Sequence, residues 1–388
     1  MRWYPLMKKR TKIVISILVI LFLLIGIFAG VLIYIKSALK PTKAFLKGQI
    51  CEDGSTGCET TAFVVDEGAY GKSTLEKLEA MKIIKDADIV YYYNRIISGY
   101  SFSAGYFEIP HQITDENGIT HDITLDELMA FLANPKNAHQ DTVTLSFDEG
   151  DFIRSFARKI GENTTVKEEE LLEYWNNEET VRSYMNEYPF LTEDIFGENI
   201  KYYLEGYLFP DTYEFFEFTN CDEITRKFLD RTLEIYEKYE ADFAASDFSV
   251  HEVFTLASIV QWETGNVDDA PLVSGVFVNR MEDYIPLSST VTACYAFDLT
   301  KEECHEHGDE TRYTHQWDPY NTYTIQGLPP GPICCANETS IRAALHPDTS
   351  DGYYFFCANW CDGGTVFART ESEHQYNVER YMLACEPY

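Results

Sequence analysis

The residue best placed to do chemistry is Glu263, near the far end of the stretch from Phe248 to Gly265. Ser249 can cap a helix there, and Glu252 follows at capping-box spacing. Gly265 supplies a stop. Val253, Leu256, Ala257 and Val260 recur at helical spacing, which predicts one amphipathic helix. Counting on by three or four reaches Glu263 and Thr264, so Glu263 lies on or beside the apolar face. Removing a carboxylate from water disfavours its charged form and raises its pKa. An acid still protonated near neutral pH can give its proton to a leaving group. The competing reading is a structural ion pair to an arginine or a backbone amide. A second cluster, Cys304, His305 and His307, has metal-ligating residue types, but its spacing matches no zinc template well.

Several elements must position that helix. Ala62–Val65 reads as a strand, and Ser73–Met81 and Ala87–Ile97 as helices. Ser103–Ile109 reads as turn and strand, and Thr124 opens a helix with Asp126 and Glu127 in its first turn. Val65-Asp66-Glu67-Gly68 echoes Phe147-Asp148-Glu149-Gly150, which suggests that a new α+β unit begins near residue 143. Glu168 to about Tyr188 reads as one acidic helix docked by Leu171, Leu172, Tyr174 and Trp175. Tyr203–Tyr213 mixes Gly, Pro, aromatics and acids and holds no periodicity for long, the composition of a functional loop or of a buried aromatic corner. Helices are expected over Thr225–Phe243, Pro271–Met281, Ser340–Leu345 and Glu373–Tyr381. Pro286–Val291 reads as extended or loop, Lys301–Gln316 as a surface insertion, and Gly327–Pro332 as a rigid non-helical path. Tyr353–Phe356 and Thr365–Phe367 look like paired strands.

The chain has 388 residues, room for two or three domains, and 45% hydrophobic residues, enough for a substantial core. Aromatics reach 15%, with side chains suited to core packing and to stacking on sugars. A net charge of −32 would repel a phosphate backbone, which argues against nucleic acid as a partner. Basic Arg2, Lys8, Lys9, Arg10 and Lys12 precede an uncharged apolar run of 23 residues, Ile13–Ile35. At about 1.5 Å per residue that run can span a bilayer, and it is too long for a cleaved signal peptide. The charge pattern puts the N-terminus in the cytoplasm and the rest outside, although Lys36, Lys40, Lys43 and Lys47 weaken the asymmetry. All ten cysteines follow this run, which favours disulfides, with Cys51–Cys58 and Cys294–Cys304 as the close pairs.

Leu204–Tyr213 (LEGYLFPDTY), Ala257–Thr264 (ASIVQWET), Val276–Arg280 (VFVNR) and Tyr320–Tyr323 (YNTY) running into Gly327–Ile333 (GLPPGPI) occur in that order. As an ordered set they are similar to the endolytic murein transglycosylases, the MltG or YceG-like family. The resemblance covers about residues 143 to 388, and the preceding region resembles the family's LysM-like subdomain more loosely. The expected α+β chain thus has a cytoplasmic tail and transmembrane anchor at 1–40 and a Lys-rich, then Gly/Ser/Thr-containing stalk at 41–60, both read from composition, and, as the resemblance implies, a LysM-like α+β subdomain at 61–142 and a larger α+β catalytic domain at 143–388. The resemblance implies peptidoglycan glycan strands as substrate, peptidoglycan synthases as partners, no metal and no cofactor. The family's catalytic glutamate falls on Glu263. Gln261 stands where the family has the first acid of Glu-x-Glu-Thr. Thr290-Val291 stands where Asp-Pro is usual, Cys335-Ala336-Asn337 replaces Asn-Pro-Gly, and Gln375 follows His374 in place of Asn.

The implied reaction breaks the MurNAc–GlcNAc bond and leaves a 1,6-anhydro end, with Glu263 as acid and then base. An internal nucleophile removes the need for a second carboxylate. Glu205 and Asp211 are the acids available if hydrolysis were the reaction instead. Gln261, Ser289, Asn321 and Tyr323 are candidates for sugar contact or for orienting Glu263. Three rivals stand beside this reading: an inactive wall-binding scaffold, a hydrolase built on a serine and His374, and the metal site at Cys304.

Overall fold

The computed structural model describes residues 26–48, 58–66, 69, 71–115, 118–264, 266–299, 303–304, 306, 318–361 and 363–385. It is mixed α and β, with small two-stranded sheets, and it divides into two compact units, 1–141 and 142–388.

In the first unit, strand β1 (Thr60–Val65) pairs antiparallel with β2 (Gly105–Pro110). Helices α1 (Gly71–Ala80), α2 (Ala87–Tyr93) and α3 (Leu125–Ala133) bury Leu75, Leu78, Val90, Leu128, Met129 and Leu132 in a core with Phe63 and Phe107. Asp86 caps α2, and Thr124 with Glu127 forms a complete capping box on α3. The helix expected over Ala87–Ile97 changes to wider π turns at Asn94–Ser98 and stops at Gly99, whose φ of 70° suits glycine.

The apolar run expected to cross a membrane lies mostly outside the described residues. Its described part belongs to a helix over 26–38 that leaves Ile27, Phe28 and Ile33 exposed. No helix among the described residues is long and apolar enough to cross a membrane.

The second unit opens with β3 (Thr142–Ser146), paired antiparallel with β4 (Thr212–Phe216). Between them lie α4 (Ile153–Gly161), α5 (Glu168–Trp175) and α6 (Glu178–Tyr184). The single acidic helix expected over Glu168 to about Tyr188 is two helices, because Asn177 leaves helical geometry to accept the Thr180 amide as an N-cap. α7 (Cys221–Lys238) closes an aromatic core of Phe147, Phe156, Trp175, Phe215 and Phe228, and Trp175 Nε1 donates to Thr225 Oγ1 at 2.8 Å.

α8 (Val250–Glu263) runs through this core and packs on α9 (Ala270–Glu282) and α11 (Glu338–Leu345). It is less amphipathic than its spacing predicts. Neighbours on every side bury Phe254, Thr255, Ser258 and Ile259 along with the expected stripe. Thr290 and Val291, expected in loop, begin α10 (Thr290–Ala296). At the C-terminal end β5 (Phe355–Ala358) pairs antiparallel with β6 (Thr365–Ala368), and α12 (Glu371–Asn377) follows.

Cys294 bonds Cys304, as its spacing predicts, and Cys361 bonds Cys385. Cys221, Cys334, Cys335 and Cys357 are buried thiols. Cys51 lies outside the described residues, as do His305, His307 and most of the 301–316 insertion.

Candidate active site

α8 delivers Glu263 as its last residue. Ser249 Oγ accepts the Glu252 amide and Glu252 Oε2 accepts the Ser249 amide, so the expected capping box fixes where the helix starts. Fourteen residues later the chain leaves helical geometry at Thr264. The start and the length together set where the carboxyl arrives. Glu263 is half-buried and lines two adjoining chambers of about 410 and 830 Å³. Thr290, Phe356, His374 and Gln375 are walls common to both, so Glu263 sits at the junction of a continuous cleft.

Burial pushes the Glu263 carboxyl above the ordinary carboxylate range, and a hydrogen bond from Ser289 Oγ to Oε1 at 2.6 Å partly offsets this. The negative end of the helix dipole acts in the same direction as burial. The group therefore keeps its proton to higher pH than an ordinary carboxyl does.

Ser289 is 3% exposed, and its place is set by α10 and by the Tyr320–Tyr323 segment. Ser288 adopts a φ of 51°, which turns the chain just before it. The Ser288 amide donates to Thr322 O and the Ser289 amide to Thr322 Oγ1, while Thr292 Oγ1 donates to Ser289 O. The two threonine hydroxyls lie 2.7 Å apart. Thr292 and Thr322 thus hold the serine that holds Glu263. Sequence reasoning missed both, since a buried threonine has no spacing signature. Tyr323 lies on the cleft wall, its hydroxyl 3.0 Å from Thr290 Oγ1.

The other residues singled out from sequence sit elsewhere. Gln261 Oε1 accepts the Asn337 amide and Ser340 Oγ, which ties α8 to the start of α11 rather than touching Glu263. Asn321 is buried, and its Oδ1 accepts the Tyr323 amide to shape that turn. Glu205 is 1% exposed and accepts the Ile153 amide and the Tyr295 hydroxyl. Burial raises its pKa to about 7, against the pull of the Ile153 amide and the Arg154 charge. Asp211 accepts the Thr212 amide and Arg231 Nε, contacts that hold it below the usual carboxylate range. None of these four lines either chamber. Neither Glu205 nor Asp211 is placed to be a second acid beside Glu263. Among the described residues, a second carboxylate that lines the cleft is Glu371, at the start of α12, which sequence reasoning did not single out.

The two other site readings from sequence also change. The sulfur of Cys304 is bonded to Cys294, which removes it as a metal ligand. His374 does line the cleft, but its ring stacks on Phe355 with centroids 5.2 Å apart, and its Nδ1 is buried with no hydrogen-bond partner. That leaves it without the hydroxyl contact a nucleophile–base pair needs.

A family model described as the YceG-like family matches residues 63–380. The chain belongs to the YceG-like family. It is 30% identical over 360 residues to a Bacillus subtilis (strain 168) protein named endolytic murein transglycosylase, covering 92% of this chain and 91% of that one. It is 26% identical over 327 residues to a protein of the same name from Streptococcus pneumoniae serotype 2, covering 82% of this chain and 58% of the relative. A crystal structure of a YceG-like protein from Listeria monocytogenes superposes with a TM-score of 0.53 at 27% identity, over 82% of this chain and 99% of that one. The family read from the four ordered segments and the family matched along the chain are the same.

Proposed function

We propose that this YceG-like chain is an endolytic murein transglycosylase that cuts within the glycan strands of peptidoglycan and leaves 1,6-anhydroMurNAc ends. One observation carries the reading: an acid whose pKa burial raises, hydrogen-bonded by Ser289, sits where two chambers of a cleft meet. Its relatives' names point to the same substrate.

In the first step Glu263 gives its proton to the oxygen between MurNAc C1 and GlcNAc, and that bond breaks. The carboxylate left behind takes the proton from the MurNAc 6-hydroxyl as its oxygen bonds C1. Glu263 ends protonated, no water is consumed, and one side chain serves as acid and base in turn. The Ser289 hydroxyl stabilises the carboxylate between the two steps.

The basic N-terminus ahead of the Ile13–Ile35 run supports a single-pass anchor, with the N-terminus cytoplasmic and the catalytic unit on the outer side. On this reading residues 61–142 form a LysM-like subdomain that holds the strand, and synthases of the same polymer are the partners.

The test digests purified glycan strands with the wild-type protein and with Glu263→Gln, then weighs the products. Anhydro ends from the wild type, and a loss of at least about a hundredfold in the variant, are expected for a removed general acid–base. Ends heavier by one water would overturn the transglycosylase in favour of hydrolysis with Glu371 as second carboxylate. No cleavage by the wild type would leave a wall-binding scaffold.

A further inference from the structure

The two chambers differ in charge. Apart from Glu263, the described lining of the 830 Å³ chamber has no Asp, Glu, Lys or Arg, and its one histidine, His374, has its pKa lowered by burial. The 410 Å³ chamber carries Arg280 and Glu371.

Arg280 is an unusual arginine for this chain. It lies in the last turn of α9, where Nε and Nη2 donate to Pro286 O at 2.9 and 2.8 Å and Nη1 donates to Tyr354 O at 2.8 Å. Its guanidinium also lies 5.3 Å from the centre of the Phe355 ring. These contacts lock the group in place, yet all its hydrogen-bond partners are neutral carbonyls. No carboxylate lies within ion-pair distance of Arg280 among the described residues, in contrast to Arg182, Arg226 and Arg231, which all pair with acids. Burial accordingly pushes the Arg280 pKa down, while the carboxylates beside the other three push theirs up. An arginine remains protonated through such a shift. Three of its five N–H donors are engaged, so two remain. Glu371 borders the same chamber and its charge pulls the Arg280 pKa up against burial, but it is exposed, accepts Gln375 Nε2 at 3.1 Å, and forms no ion pair with Arg280. In a chain of net charge −32 an anionic substituent is admitted only where a local cation offsets the repulsion.

We propose that Arg280 binds a carboxylate on the sugar strand, so that the 410 Å³ chamber takes the MurNAc unit and the 830 Å³ chamber takes the neutral GlcNAc side. This rests on the glycan reading above. In an alternating strand only MurNAc bears a 3-O-lactyl acid, so one fixed cation is enough to set which of the two sugars lies on the Arg280 side of Glu263. The carboxylate has two sources: the lactyl group of a peptide-free strand, or the first acid of an attached peptide.

The full chain carrying Glu263→Gln serves as a binding trap. Its Kd is measured for MurNAc–GlcNAc tetrasaccharides with free lactyl carboxylates, with peptide stems attached, and with every carboxylate converted to a methylamide. Loss of one charge-assisted contact predicts at least about tenfold weaker binding of the methylamide. Adding Arg280→Gln should erase that difference, and adding Arg280→Lys should keep part of it. Should Arg280→Gln fail to fold, the methylamide comparison on the trap decides alone. Tighter binding of the peptide-free form identifies the lactyl group, and tighter binding of the stem-bearing form identifies the peptide. Equal Kd for free and methylamide sugars, from a protein whose wild type still yields anhydro ends, overturns this proposal and leaves the transglycosylase standing. Absence of both binding and anhydro ends overturns both.

Discussion

Burial raises the pKa of both Glu263 and Glu205, yet only Glu263 reaches the cleft. For Glu263, the Ser289 hydroxyl bonds the carboxylate form and so pulls against burial. A general acid must be protonated to act, so activity falls as pH rises through its pKa. Ser289→Ala removes the downward pull and should move that alkaline limb of the kcat/KM profile to higher pH. A limb that stays still or moves down would remove Ser289 from this role. Glu205 offers a test of stability instead. Its folded pKa of about 7 lies above the ordinary value of 4.5, so its contribution is fully present below about pH 4.5 and is lost as pH rises through 7. The shift corresponds to as much as about 3 kcal/mol. Urea unfolding of wild type and Glu205→Gln across this window should show a fall in the wild type that the variant lacks.

At the scale of elements, the site depends on how closely α8, α9 and α11 approach one another and the loop after α11. Gly275, midway along α9, is a close-approach point: a Cβ there would stand 1.9 Å from Asp348 O. No rotamer relieves a clash between a Cβ and a backbone carbonyl. Gly275→Ala should therefore cost about 1–3 kcal/mol in chemical denaturation, the range for overpacking. It should also weaken cleavage, because α9 carries Arg280. An unchanged unfolding midpoint would show that the loop moves aside freely.

For the whole molecule, each unit has its own buried core: one around Phe63, Leu78, Phe107 and Leu128, the other around Phe156, Trp175, Phe228 and Leu256. A segment with its own core can fold alone. Residues 142–388 expressed without the rest should unfold in one cooperative transition and still form anhydro ends from short strands. Loss of cooperative unfolding would tie the second unit's stability to the first.

Much of this was legible in the residues because it depends on local rules. The capping box at Ser249 and Glu252, the helical spacing through Val260, the Cys294–Cys304 pair and the strands near 355 and 365 need only near neighbours along the chain. The echo of Val65–Gly68 at Phe147–Gly150 suggests a new α+β unit from near residue 143. The four ordered segments carry the family resemblance by themselves. Other features depend on residues far apart in sequence. Glu205 and Glu263 both look like catalytic acids in the chain, but the packing of Ile153 and Tyr295 seals one while the meeting of α8, α10 and β5 opens a cleft at the other. Gln261 is two positions from Glu263, yet side chains two apart on a helix face different ways, so it binds α11 instead. Arg280 and Glu371, ninety-one residues apart, become neighbours only when α9 and α12 border one chamber. Periodicity reports which face of an element is apolar; which groups meet there is a matter of tertiary contact, and that is where this site's chemistry is set.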